Sequence, residues 1–195
     1  MNFFEVFDLP RRLTIDAAEL QRRFHALARR THPDFHQAAP PAERAAAEER
    51  AALVNTAYRT LRDPIARADY LVRLEEGRTT REGGESRPKA PPALLAEMFE
   101  IQEALAEAKA GPLDDAARAA LSRQRAALLA RSAEVEAELR GPLAARWDSA
   151  SEAERPAALT AIKEALATRA YLRTVIADLA EALGEEESGV AHHRH

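Results

Sequence analysis

The 195 residues predict an all-α protein in two parts, an N-terminal antiparallel helix pair with short flanking helices and a C-terminal three-helix bundle. Three observations lead there. Apolar residues recur at three- and four-residue steps over 16–30 and again over 43–62, the period of an amphipathic helix. His32-Pro33-Asp34 falls between those runs, and proline both stops a helix and biases the residue before it towards extended geometry. Residues 75–92 hold two adjacent glycines, three prolines and almost no apolar side chain, which is linker composition.

Taken in order, residues 2–8 bring Phe3, Phe4, Val6 and Phe7 together as a plug for the helix pair, and Leu9-Pro10 ends it. Asp16 followed by Glu19 reads as a capping box opening the second helix. That helix carries Ala17, Leu20, Phe24 and Leu27 on its apolar face and spans about 22 Å. Arg22, Arg23, Arg29 and Arg30 lie off this face, the pairs 22/29 and 23/30 each seven residues apart. A row of this kind is usually a solvated face, but against an acidic partner it would steer association. The tripeptide is expected at an exposed tip. Pro40-Pro41 prime a third helix with Ala46, Leu53, Val54, Ala57 and Leu61 turned inward. It ends at Arg62-Asp63-Pro64, and a fourth helix over 65–74 places Ile65, Ala68, Leu71 and Leu74 on one side. The domain boundaries expected are 1–75, a linker at 76–92, a C-terminal domain at 93–184 and a disordered tail at 185–195. Nanosecond mobility is expected at 78–90.

The C-terminal part reads as helices over about 93–110, 113–140 and 153–183, with Gly111-Pro112 as a separator and Gly141-Pro142 as an interruption. Ser151 with Glu154 offers another capping box, and Pro156 sits in the opening turn. Leu159, Ile162, Leu166, Ile176, Leu179 and Leu183 form a near-heptad seam along the last helix. In the first helix, Leu94, Met98, Ile101 and Leu105 gather on one side. Leu95 and Phe99 lie well around from that stripe, flanked by Glu100, Glu103 and Glu107. The residues leave two readings open: either this second face also packs on protein of the same chain, or it is an apolar anchor rimmed by carboxylates for a partner.

Composition narrows the function. Residues 1–75 carry 12 basic and 11 acidic side chains against 16 and 21 in the remainder, a net of +1 in front and −5 behind that gives the chain's −4. That argues against a general nucleic-acid binder. The chain has no cysteine, which removes thiolate ligands for zinc or an iron–sulfur cluster. Its apolar runs fall short of the ~20 residues that span a bilayer, and its first residues lack a signal peptide's basic and apolar regions. A protein of the cytosol, with no cofactor, no metal and no membrane or nucleic-acid partner, is the expectation.

The His32-Pro33-Asp34 loop between an arginine-bearing helix and the run Leu53-Val54-Asn55-Thr56-Ala57-Tyr58-Arg59-Thr60-Leu61 resembles a J-domain. J-domains are the modules by which DnaJ-like co-chaperones engage ATP-hydrolysing chaperones of the DnaK class. Three further stretches extend the likeness to nearly the whole chain. They are the opening 2–10, the run Asp63-Pro64-Ile65-Ala66-Arg67-Ala68-Asp69-Tyr70-Leu71, and Met98-Phe99-Glu100-Ile101-Gln102-Glu103-Ala104-Leu105. Together with the acidic C-terminal half they resemble the HscB family of iron–sulfur biogenesis co-chaperones. The chain departs from the family pattern at Phe35-His36, Ala96, Phe99 and Gln102.

The resemblance implies a monomeric binding protein of the bacterial cytoplasm that performs no chemistry itself. His32, Pro33, Asp34, Arg22, Arg23, Arg29 and Arg30 would engage the DnaK-class partner HscA and trigger its ATPase. Leu95, Ala96, Phe99, Glu100, Glu103, Glu107 and Tyr171 would hold the scaffold protein IscU, with Tyr171 an exposed aromatic off the seam. A J-domain co-chaperone with a different client is the alternative. An enzyme using His32 and Asp34 as an acid–base pair is disfavoured, since a helical tip excludes water poorly and no nucleophile or glycine-rich loop accompanies them. The histidines at 192, 193 and 195 read as a frayed tail or an expression remnant, with metal capture a minor alternative.

Overall fold

In the N-terminal half, the helices opening at Phe3, Ala17 and Pro64 each follow a residue whose side chain satisfies free backbone N–H groups. Residues 1–31, 40–77, 99, 101, 103, 105, 106 and 113–184 are described by a computed structural model, and among them no strand occurs. Helix α1 (Phe3–Val6) opens with a reciprocal capping box. The Asn2 side chain accepts from Glu5 N–H at 3.0 Å, and the Glu5 carboxylate accepts from Asn2 N–H at 2.9 Å. Phe3, Phe4 and Phe7 are buried, as a plug requires. Each such burial contributes about 1.5–3 kcal/mol.

Helix α2 (Ala17–Thr31) starts on Asp16, whose Oδ1 accepts from Ala18 and Glu19 N–H at 2.8 and 3.2 Å. The expected capping box is only half present, because the Glu19 carboxylate turns forward to Arg22 and Arg23. Helix α3 (Pro41–Arg62) has Pro40 as its cap and Pro41 in its first turn. It packs against α2 with Phe24 stacked on Tyr58, ring centroids 4.0 Å apart, and the Arg62 guanidinium 5.8 Å from the same tyrosine ring. Helix α4 (Pro64–Glu75) follows after a single residue. Asp63 ends α3 and caps α4, accepting from Ile65 and Ala66 N–H at 2.8 and 3.0 Å.

Helix α4 is buried on more than the one side expected of it. Tyr70 and Val72 join Ile65, Ala68 and Leu71 in the core, whereas Leu74 is half-buried. Tyr70 stacks on Phe3 at 4.3 Å, and its hydroxyl accepts from Phe3 N–H at 2.9 Å. Burial raises the Tyr70 phenol above its ordinary pKa. Arg67 is also buried and donates to the carbonyl of Leu61 at the end of α3, satisfying one of that helix's terminal acceptors.

Three further helices are α5 (Asp115–Arg140), α6 (Pro142–Ser149) and α7 (Arg155–Leu183). The Gly141-Pro142 interruption is followed by a helix of its own, with Trp147 and Ala144 buried. Glu154 reaches back to Ser151 N–H at 2.9 Å, and the serine hydroxyl bonds the same carboxylate at 2.6 Å instead of capping the helix. The compact units are not separated by one cut in the chain. The first comprises Met1–Gly83 with Leu139–Ile162, and the second Gly84–Glu138 with Lys163–His195.

The second unit is built on Ile101, Leu105, Leu121, Leu128, Leu172, Val175, Leu179 and Leu183. Of the seam expected along the last helix, Ile162, Leu179 and Leu183 are buried. Leu172 and Val175 enter the core, while Leu159, Leu166 and Ile176 are only half-buried. At 100° per residue Leu172 and Val175 lie within about 40° of Leu179, so they widen the same apolar face. The 78–92 linker residues, Leu94, Met98, Gly111-Pro112 and the 185–195 tail lie outside the described residues, as does the expected mobility at 78–90.

Candidate functional site

The arginine row divides into inward and outward members. Asp16 anchors the first turn of α2, and Glu19 one turn on accepts from Arg23 Nε at 2.6 Å and pairs with Arg22. Arg23, and then Arg22, hold the Glu19 carboxyl below its usual range by hydrogen bonding. Arg23 Nη1 donates to the carbonyls of Phe7 and Asp8 at 2.7 and 2.6 Å, and the Asp8 carboxylate lies 3.6 Å away. Asp8 sits at φ 50°, a left-handed turn that aspartate tolerates better than most residues. Arg23 therefore fastens the turn after α1 to α2, with its side chain still 35% exposed. Arg22 is exposed although tied to Glu19, and Arg29 and Arg30 are exposed in the last turn of α2. His32, Pro33 and Asp34 lie outside the described residues.

A second surface involves the stretch around residue 100. Ile101 and Leu105 are buried, whereas Phe99 is 75% exposed and Glu103 is exposed. All four are helical, so the inward stripe expected at 101 and 105 is present and Phe99 stands off it. An exposed phenylalanine of this kind suits an apolar anchor. Leu95, Ala96, Glu100, Gln102 and Glu107 lie outside the described residues. Tyr171 is half-buried against the aliphatic cluster of the second unit, which corrects its expected exposure. Its position beside Leu172 places it at the edge of the core, because the seam runs through Leu172 and Val175.

Two residues absent from the sequence expectations organise the first unit. The Asp148 carboxylate accepts from Leu13 N–H at 2.7 Å and from Thr14 N–H at 2.8 Å. Burial lowers the Arg67 pKa, while the carboxylates of Asp148 and Asp63 oppose that fall. No local sequence pattern points to Asp148, since its partners lie 135 and 134 residues away. No group of three or more metal-ligating side chains occurs among the described residues, and no helix among them is long and apolar enough to cross a membrane.

Comparison with known proteins adds the following. The DnaJ domain family matches residues 2–70. A co-chaperone protein HscB homolog from Ralstonia nicotianae is 41% identical over 112 residues, 57% of this chain and 62% of the relative. A homolog of the same name from Vibrio vulnificus is 38% identical over 120 residues, 62% of this chain and 68% of the relative. The match thus spans less than two thirds of the Ralstonia protein's length. Among solved structures, the chaperone HscB from Vibrio cholerae is similar with a TM-score of 0.58 and 30% identity, over 94% of this chain and 99% of the other. The human co-chaperone protein HscB is similar with a TM-score of 0.61 and 25% identity, over 93% and 81%.

Proposed function

The chain belongs to the HscB family of co-chaperones, and from that premise we propose that it serves iron–sulfur cluster assembly by presenting a scaffold protein to a DnaK-class ATPase. One observation carries the reading: α2 ends with Arg29 and Arg30 exposed, directly before His32-Pro33-Asp34. A cationic helix end beside this tripeptide suits docking on an acidic chaperone surface, with long-range attraction speeding encounter. In this reading Arg22, Arg29 and Arg30 face the chaperone HscA, and Arg23 holds their helix in place. The tripeptide triggers hydrolysis of ATP in the partner's own site, so this chain supplies contacts and no reacting group.

The client in this reading is the scaffold IscU, held by Phe99, Glu100, Glu103 and Glu107 with Leu95 and Ala96, and by Tyr171 at the margin. The outward Phe99 beside Glu103 supports this assignment. A large aromatic anchor with a charged rim is the pattern of an interface hot spot.

The test is steady-state ATP hydrolysis by the chaperone HscA with this chain and IscU added singly and together. Joint stimulation exceeding either alone, abolished by His32→Gln, is the expected result. Phe99→Ala should weaken scaffold binding about tenfold or more while sparing stimulation by this chain alone. Stimulation indifferent to the scaffold would discard the client, and no stimulation by a folded chain would discard the docking role.

A further inference from the structure

We propose that Asp148 is a positioning residue for the arginine-bearing helix, holding from the far end of the sequence the segment that leads into α2. The segment needs such a hold. Residues 9–16 connect α1 to α2 without regular structure, and two successive N–H groups, those of Leu13 and Thr14, point the same way. Asp148 meets them one oxygen each: Leu13 N–H lies 2.7 Å from Oδ1, and Thr14 N–H lies 2.8 Å from Oδ2. A carboxylate is the side chain that matches two parallel donors, since both its oxygens accept and its charge strengthens each bond.

Asp148 is itself held firmly. It follows buried Trp147, whose ring has the Arg155 guanidinium 5.6 Å from its centroid. The Leu13 side chain is buried as well, so the bonded amides flank a packed anchor. Thr14 lies three residues before Ala17, the first residue of α2. Arg23 fastens the same helix to the carbonyls of Phe7 and Asp8. Both ends of the 9–16 segment are thereby fixed, one by a cation on backbone carbonyls and the other by an anion on backbone amides. The direction in which α2 leaves this segment then depends on a residue remote in sequence from any docking side chain.

The functional half of this proposal rests on the docking reading above, and the experiment separates the two. Amide hydrogen exchange on the full-length chain should show Leu13 and Thr14 protected in the wild type. In Asp148→Asn, which keeps the shape but loses the charge and one acceptor, their exchange should quicken about ten- to a hundredfold. Trp147 fluorescence should stay native. Titrated into the DnaK-class ATPase, the variant should need several-fold more protein for half-maximal stimulation and reach the same maximum. Asp148→Glu, which retains both acceptors and the charge, should recover part of that shift.

Unprotected Leu13 and Thr14 amides in the wild type overturn the proposal without recourse to any variant. Unchanged protection in Asp148→Asn does the same. Faster exchange with an unaltered half-maximal concentration overturns the positioning role. A wild-type chain that stimulates no DnaK-class ATPase overturns the docking reading instead, and exchange in the first turn of α2 then decides whether Asp148 positions the helix.

Discussion

The two units solve the same packing problem with different chemistry. In the first, the buried side chains include Phe3, Phe4, Phe7, Tyr70 and Trp147, and directed polar bonds run between distant parts of the chain. In the second, the central cluster is wholly aliphatic, from Ile101 and Leu105 to Leu179 and Leu183. Its polar ties include Arg118 to the Leu183 carbonyl at 2.8 Å and Arg169 to Glu136 at 2.7 Å. Aromatic pairs and buried hydrogen bonds prescribe angles as well as volumes. Aliphatic side chains prescribe chiefly volume. The first unit should therefore be the less tolerant of isosteric change, and the second should respond mainly to size.

Cavity formation is the strongest way to probe that contrast. Phe4→Ala should lower unfolding free energy by about 3–5 kcal/mol, and Leu179→Ala by about 2–5 kcal/mol, read from denaturant midpoints. Leu179→Met should cost less than about 1.5 kcal/mol because volume is kept. A Leu179→Met loss as large as that of Leu179→Ala would break the claim that volume governs the second unit.

Tyr70→Phe removes one oxygen and almost no volume, so it isolates direction from size. The Phe3 N–H loses its acceptor in a buried setting, and the expected loss is about 1–3 kcal/mol. The pH profile sharpens this. The folded-state phenol is raised above its ordinary value of 10.0, so stability is full below the unfolded pKa and falls as pH rises towards the folded one. In Tyr70→Phe that part of the alkaline decline should disappear. An identical decline in both proteins would assign it elsewhere.

The smallest effect belongs to Glu19. Its carboxyl is depressed below 4.5, first by Arg23 and then by Arg22. Its contribution is present above the unfolded pKa and is lost as pH falls through the folded one. Glu19→Gln should shallow the acid limb slightly, and salt should erase most of the difference. A salt-insensitive change would mean that Glu19 acts through packing.

Periodicity made the helices legible, and for the same reason it misjudged where they are buried. The apolar steps of α2 and α3 face one another, so sequence pattern and burial agree at Leu20, Val54, Ala57 and Leu61. On α4 and α7 apolar residues occupy several faces, and tertiary packing chose Tyr70, Leu172 and Val175. The outward Phe99 was readable because Ile101 and Leu105 define the opposite face within one helical turn or two. Arg23 and Asp148 were not readable as anchors, because their partners are backbone groups of distant segments. A guanidinium or carboxylate looks the same in sequence whether it faces water or a carbonyl.

Asp63 has a further consequence. It is the single non-helical residue between a helix of 22 residues and one of 12, so it acts as a gear of fixed phase. One residue inserted after Pro64, inside the first turn of α4, would turn the rest of that helix by about 100° about its own axis. Ile65, Ala68 and Leu71 would rotate out of the core, and the Tyr70 hydroxyl would swing away from Phe3. The rotational phase of α4 against α3 is thus set at one aspartate, and this joint admits changes of side chain far more readily than changes of length.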